Sequence, residues 1–86
     1  MRASKDLSRQ LFGIIEAATP ARNGPLTDET SLIKSGQLDS LGLFNVAAFI
    51  EREVGRKLDL ASFDLPSEWD TVAGMLRFIL AQRELG

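Results

Sequence analysis

Residues 36–44 read GQLDSLGLF, and this stretch places the polar residues Asp39 and Ser40 directly before a long helical pattern. Asp and Ser are common at helix N-termini because their side chains accept hydrogen bonds from backbone N–H groups that lack a partner within the helix. One interpretation of Ser40 is therefore a simple helix cap. The pattern of the remaining chain indicates a second interpretation.

Apolar residues recur at helical spacing in three segments, and no segment shows the alternation typical of a strand. The first segment covers residues 6–18 and ends before a proline, and the second covers residues 40–56. The third begins after a cap at Asp70 or Thr71. One short helical turn is expected within residues 60–65. The sequence thus predicts an all-α fold.

The helical spacing also predicts which side chains form the core. The predicted core positions are Leu7, Leu11, Ile14 and Ala18 in the first helix, Leu43, Val46, Ala47, Ile50 and Val54 in the second, and Val72, Leu76, Ile79 and Leu80 in the last.

The connection over residues 19–38 is longer than most loops of compact domains. Turns are expected at residues 23–25 and 35–36, where Gly is present. The apolar side chains of this connection can pack against the helices and hold it in place, and these residues are Leu26, Leu32, Ile33 and Leu38. A fastened loop of this length presents Ser40 at an exposed corner of the bundle.

Composition limits the function classes. The chain has 86 residues, which predicts a single domain over residues 1–86, and it contains no Cys and no His. Nucleophilic systems that need His, and zinc sites built on His or Cys, are thereby excluded. The carboxylate pairs, Asp28 with Glu29 and Glu68 with Asp70, are expected to be solvated loop or cap residues. The sequence predicts a protein that is not an enzyme and holds no metal.

The net charge and the hydropathy of the sequence indicate which partners and which cellular location are expected. The net charge is −2 with no basic stripe, which argues against a nucleic-acid partner. The longest apolar run, residues 41–50, is too short to span a bilayer, and no signal-type segment is present. A cytoplasmic monomer is expected.

The order of these features resembles the acyl carrier protein family, whose members bind phosphopantetheine. Asp39, Ser40 and Leu41 form the DSL motif that opens the second helix of such proteins, and a Gly follows that helix at Gly55. The resemblance covers almost the whole chain. It implies a four-helix acyl-carrier-type bundle, with three main helices, one short helix and a long first loop.

The resemblance also implies a cofactor and partners. Ser40 would carry 4′-phosphopantetheine from coenzyme A, and its terminal thiol would hold an acyl or aminoacyl group as a thioester. Asp39 would be a helix cap or a contact for the phosphopantetheinyl transferase. An adenylating acyl or aminoacyl ligase would load the cargo, and an acyltransferase or synthase would accept it.

Two separated segments are similar to D-alanyl and other aminoacyl carrier proteins. Residues 38–42 read LDSLG, and residues 62–64 and 68–71 read SFD and EWDT. Gly42, Asn45 and Arg52 depart from fatty-acid carriers, which commonly have acidic residues along the second helix. The alternatives are a specialised acyl carrier of a fatty-acid, polyketide or peptide pathway and, outside the family, a non-catalytic helical interaction module.

Apolar residues beside Ser40 are candidates for partner contacts. Leu41 lies nearly opposite the core face of the second helix, with Phe44 at its edge and Ala48 further along, although scattered surface apolar residues are also normal. Trp69 is expected to cover one end of the bundle, with its indole N–H donating to a carbonyl.

Overall fold

The computed structural model describes residues 2–20 and 24–85 and confirms an all-α bundle. No strand occurs in the described ranges. The elements in chain order are helix α1 at Arg2–Ala18, helix α2 at Ser40–Val54, a 3₁₀ turn at Leu60–Ser62, helix α3 at Leu65–Glu68 and helix α4 at Val72–Leu85. The expected turn near 23–25 includes Asn23, which lies outside the described residues.

Several boundaries differ from the sequence-based expectation. Helix α1 begins at Arg2 and not at Asp6. The sequence analysis missed this first turn because it is mostly polar and shows no apolar periodicity. The single turn predicted over residues 60–65 is instead a 3₁₀ turn followed by α3. Pro66 lies within the first turn of α3, where the missing N–H of proline has no intrahelical partner to lose.

Helices α1, α2 and α4 pack against one another, and α3 packs against α4. The predicted core positions Leu7, Leu11, Val46, Ala47, Ile50, Val72 and Ile79 are all buried. Leu80 is 43% exposed, so its assignment to the core is wrong. The buried line of α1 passes through Ile15 rather than Ile14, and Phe49, Met75 and Phe78 complete the core. Periodicity identified the correct helix sides but misplaced their centres by about one residue.

The long loop is held by the core and by one carboxylate. Leu32 and Leu38 are buried, while Leu26 and Ile33 pack partly against the core, as predicted. The Asp70 Oδ1 atom accepts the N–H groups of Ile33 and Lys34, each at 2.8 Å, and the N–H of Leu32 is shared between the Asp70 carbonyl oxygen at 2.7 Å and Oδ1 at 3.2 Å. These bonds, called the Asp70 clamp below, join the loop to the junction between α3 and α4.

Partial burial by itself raises the pKa of Asp70, but hydrogen bonds from the Lys34 amide, the Ser31 hydroxyl and the other two amides outweigh it. The net effect lowers the pKa of the Asp70 carboxyl below its usual value. The carboxylate is therefore the stable form in the clamp at neutral pH.

Of the two candidate caps, Thr71 is the one that caps α4. The Thr71 hydroxyl accepts the N–H of Gly74 at 3.0 Å, while Asp70 serves the loop instead. Gly74 lies so close to α3 that a Cβ atom there would be 2.6 Å from the Glu68 carbonyl oxygen. The short helix α3 therefore packs directly against the first turn of α4.

Trp69 is fully buried at this end of the bundle, which confirms its expected place. Its ring meets Phe78 edge to face at 5.2 Å between centroids. The expectation of a carbonyl partner is wrong, because the described residues offer no hydrogen-bond acceptor to the Trp69 indole N–H. Aromatic packing rather than a polar contact therefore fixes the indole.

Candidate functional site

The candidate site lies at the start of α2, where the long loop enters the helix. Asp39 has an extended backbone and is the N-cap residue, and its Oδ1 atom accepts the N–H of Gly42 at 2.8 Å. The Asp39 carbonyl oxygen accepts the N–H of Leu43 at 2.8 Å, and this bond closes the first turn of the helix. Asp39 thus performs the capping that its position predicts.

Ser40 is the first residue inside α2 and is exposed to solvent. None of the hydrogen bonds among the described residues involves the Ser40 hydroxyl. The interpretation of Ser40 as a helix cap is therefore wrong, because the neighbouring aspartate already has that role. An exposed hydroxyl remains that has no structural task in the described part of the chain.

Backbone N–H groups also remain at this point. The N–H groups of Ser40 and Leu41 have no acceptor among the described residues, since the Asp39 carboxylate accepts the N–H of Gly42 and the Asp39 carbonyl oxygen accepts the N–H of Leu43. These groups lie at the positive end of the helix dipole. The environment of the Ser40 hydroxyl therefore favours an anionic substituent.

Gly42 holds the start of α2 close to α1. A Cβ atom at this position would be 2.8 Å from Cδ1 of Leu38 and 3.0 Å from Cβ of Ala18. Gly42 is buried in this contact. Fatty-acid carriers commonly have an acidic residue at the position that Gly42 occupies, but a side chain here would require Leu38 to change its conformation and Ala18 to move by a few tenths of an ångström.

The three predicted contact residues share the outer side of α2. Leu41 is 70% exposed and Phe44 is 72% exposed, and Ala48 is exposed one further turn along the helix. The structure brings all three to the same side as Ser40, because residues one, four and eight positions apart fall on one half of a helix. Their exposure agrees with a contact role, and the role itself stays a prediction.

Residues 62–64 and 68–71, the second of the two segments selected in the sequence analysis, have structural roles. Asp64 accepts the Ser67 hydroxyl at 3.0 Å in α3. Trp69 fills the core, Asp70 forms the clamp and Thr71 caps α4. Through these contacts Asp64, Trp69, Asp70 and Thr71 stabilise the scaffold.

Sequence reasoning missed the features that depend on distant contacts. The Asp70 clamp joins residues that are 36 to 38 positions apart, and periodicity carries no information about such pairs. The close approach at Gly42 was equally hidden, although a glycine inside a strong helical pattern is a signal that often has a packing reason.

No family model matches this chain, and no curated protein matches it at a significant level. No helix in residues 2–20 and 24–85 is long and apolar enough to cross a bilayer. The geometry around Ser40 is therefore the basis for the functional conclusion.

Proposed function

We propose that this chain is a carrier protein that holds an acyl or aminoacyl group as a thioester on 4′-phosphopantetheine attached to Ser40. The observation that supports the proposal most is the exposed Ser40 hydroxyl, which has no hydrogen bond in the described structure while Asp39 caps the helix. A serine that the fold does not use, held at a fixed helix start, suits enzymatic modification.

The residues present suit the prosthetic group. A phosphodiester on the Ser40 oxygen carries a negative charge, and the N–H groups of Ser40 and Leu41 at the positive end of α2 stabilise such a charge. The loop before Ser40 is fastened by Leu38 in the core and by the Asp70 clamp, so the attachment point is held rigidly. When bound, the group supplies the thiol on which the cargo is carried.

The chain itself takes a passive part in the chemistry. A phosphopantetheinyl transferase joins the Ser40 oxygen to the phosphate of the pantetheinyl arm, and the adenosine bisphosphate part of coenzyme A leaves. An adenylating ligase then loads the arm, and an acyltransferase or synthase accepts the cargo. The EWDT segment supports the fold through the Asp70 clamp and the Thr71 cap.

The test is modification by a broad-range phosphopantetheinyl transferase with coenzyme A, followed by intact-mass spectrometry. We expect the mass to rise by one phosphopantetheinyl group, and Ser40→Ala to abolish the gain. Ser62→Ala is the matched control, because Ser62 is also exposed but lies in the 3₁₀ turn, and it should be modified normally.

A folded protein that gains no mass, or that is modified at another residue, would contradict the carrier proposal. Folding is checked on the same samples by circular dichroism. An unmodified but folded chain would leave the helical interaction module as the better description.

A further inference from the structure

An open pocket of about 430 Å³ lies between the end of α1 and the last part of the long loop. The end of α1 and residues 19–20 form one wall, and residues 35–37 with Asp39 form the other. This space is called the α1–loop pocket below. Sites for small molecules are typically about 300–1,000 Å³, so the pocket is large enough to hold one. Because Asp39 directly precedes Ser40, a group attached to the Ser40 hydroxyl begins next to a residue of the lining.

Both walls of the α1–loop pocket are held by hydrogen bonds within the protein. Thr19 is buried, and its hydroxyl donates to the Ile15 carbonyl oxygen at 2.7 Å. On the loop side, the Ser35 hydroxyl donates to the Ser31 carbonyl oxygen at 2.7 Å. The Asp70 clamp joins the start of the same turn to the α3–α4 junction. The pocket is therefore formed by the fold itself, before any ligand is present.

Two side chains of the lining have acceptor oxygens that the fold does not use. The Oδ1 atom of Asp39 accepts the N–H of Gly42, and its second carboxylate oxygen has no donor among the described residues. The Oε1 atom of Gln37 is buried and also lacks a donor in the described part of the chain, which is rare for a buried polar atom. Its Nε2 atom donates to the Ser31 carbonyl oxygen at 3.3 Å, so the oxygen and not the nitrogen is the group without a partner. This bond is long enough for Gln37 to turn towards the pocket at little cost.

The charge of the α1–loop pocket is negative. Asp39 is the only charged side chain among the described lining residues, and the end of α1 adds the negative end of a helix dipole. Ala18 and Pro20 contribute apolar surface to the same lining. The pocket therefore suits a ligand that combines N–H donors with apolar groups, and it disfavours an anion.

We propose that the α1–loop pocket holds the uncharged part of the pantetheinyl arm attached to Ser40. This inference rests on the proposed carrier function, because modification of Ser40 is what brings the arm to the pocket. Beyond its phosphate the arm has amide N–H groups, which suit the free oxygens of Asp39 and Gln37. Its dimethyl-substituted carbon suits the apolar surface of Ala18 and Pro20. Asp39 repels the phosphodiester, which the N–H groups at the start of α2 stabilise instead.

Free reduced pantetheine tests the pocket without the carrier chemistry. It is titrated into unmodified ¹⁵N-labelled protein, and binding is followed by amide chemical shifts. We expect saturable shifts at the amides of Thr19, Ser35, Gly36 and Gln37, with a Kd in the millimolar range because the contacts are few. A short flexible tether raises the local concentration of the arm to the same range, so these amides should also shift after modification of Ser40 by the transferase.

Variants connect pantetheine binding to named residues. Asp39→Asn should weaken it about threefold to tenfold, because asparagine keeps the cap of α2 but replaces the free carboxylate oxygen by an NH₂ group. Asp64→Asn is the matched control and should leave binding unchanged, because Asp64 is an exposed aspartate that precedes α3 and lies outside the lining. Gln37→Leu should also weaken binding. Ser40→Ala should leave the binding of free pantetheine unchanged while it abolishes modification, so this proposal and the carrier proposal fail separately.

The absence of saturable shifts, shifts confined to residues outside the lining, or equal binding by the wild type and Asp39→Asn would overturn the proposal. Shifts on modification that are confined to residues 40–42 would also overturn it, because the arm would then lie away from the α1–loop pocket.

Discussion

The contact of Gly42 with α1 gives a prediction whose sign is decided by two opposing effects. In a helix interior, Gly→Ala stabilises by about 0.5–1 kcal/mol because alanine loses less backbone entropy on folding. At position 42 the new methyl group would be 2.8 Å from Leu38 Cδ1 and 3.0 Å from Ala18 Cβ, and overpacking of a buried contact costs about 1–3 kcal/mol. We expect Gly42→Ala to be destabilising, because Leu38 is buried in the core and its Cδ1 atom has little room to move away from the new methyl group.

Gly13 provides the control that isolates the steric cost. It also lies inside a helix, but it is exposed, and a Cβ atom there would have nothing within 4 Å. Gly13→Ala should therefore show the entropic gain alone. The difference between the two variants is then the overpacking cost, about 1–3 kcal/mol.

Thermal melts and urea unfolding of the wild type and both variants measure this difference. Since about 1 kcal/mol moves the Tm of a domain of this size by roughly 4–8 °C, the Tm of Gly42→Ala should lie at least about 4 °C below that of Gly13→Ala. If Gly42→Ala raised the Tm as much as Gly13→Ala does, α1 and α2 would be further apart than described and the reasoning would be refuted.

Three further predictions follow from the Asp70 clamp and from the exposed side chains of α2. Because the pKa of Asp70 is lowered in the folded state, the clamp stabilises the fold above about pH 4, and this stabilisation is lost as the pH falls through the folded-state pKa. The free energy of unfolding in urea, measured at pH 7 and pH 3, should therefore depend less on pH for Asp70→Asn than for the wild type. An equal dependence would contradict the clamp. Leu41→Ala should change the free energy of unfolding by well under the roughly 2–5 kcal/mol expected for Ile50→Ala, because Leu41 is 70% exposed and Ile50 is fully buried; similar melting of both variants would refute that assignment. The rate of cargo loading should fall with Leu41→Ala and fall only modestly with added salt, because the exposed residues Leu41, Phe44 and Ala48 are apolar, and a steep loss of rate with salt would instead indicate docking through many charges.

The elements that depend on local spacing were predictable from the sequence. Leu7 and Leu11 repeat at the helical period, and so do Val46 and Ile50, and all four are buried. Asp39 has a residue type and a position that suit an N-cap, and it is the N-cap of α2. The exposure of Leu41 followed from the same helical geometry. Such features involve residues within two turns of each other.

The features that depend on the relative placement of segments were not predictable. Phe49 lies at the edge of the expected core face and is buried because α1 covers that edge through the contact at Gly42. Leu80 lies near the end of α4 and is exposed, although its spacing matched the core. Asp70 was expected as a cap or a solvated acid, and its actual partners are loop amides that no local pattern connects to it.

The Asp70 clamp has a consequence for hydrogen exchange. Loop amides usually exchange with solvent through small local openings, but the N–H groups of Ile33 and Lys34 are bonded to the Asp70 carboxylate and that of Leu32 mainly to the Asp70 carbonyl oxygen, both at the α3–α4 junction. Leu32 is also fully buried among the helices. We therefore expect these consecutive amides to exchange more slowly than other loop amides, because they are released only when the loop leaves the α3–α4 junction.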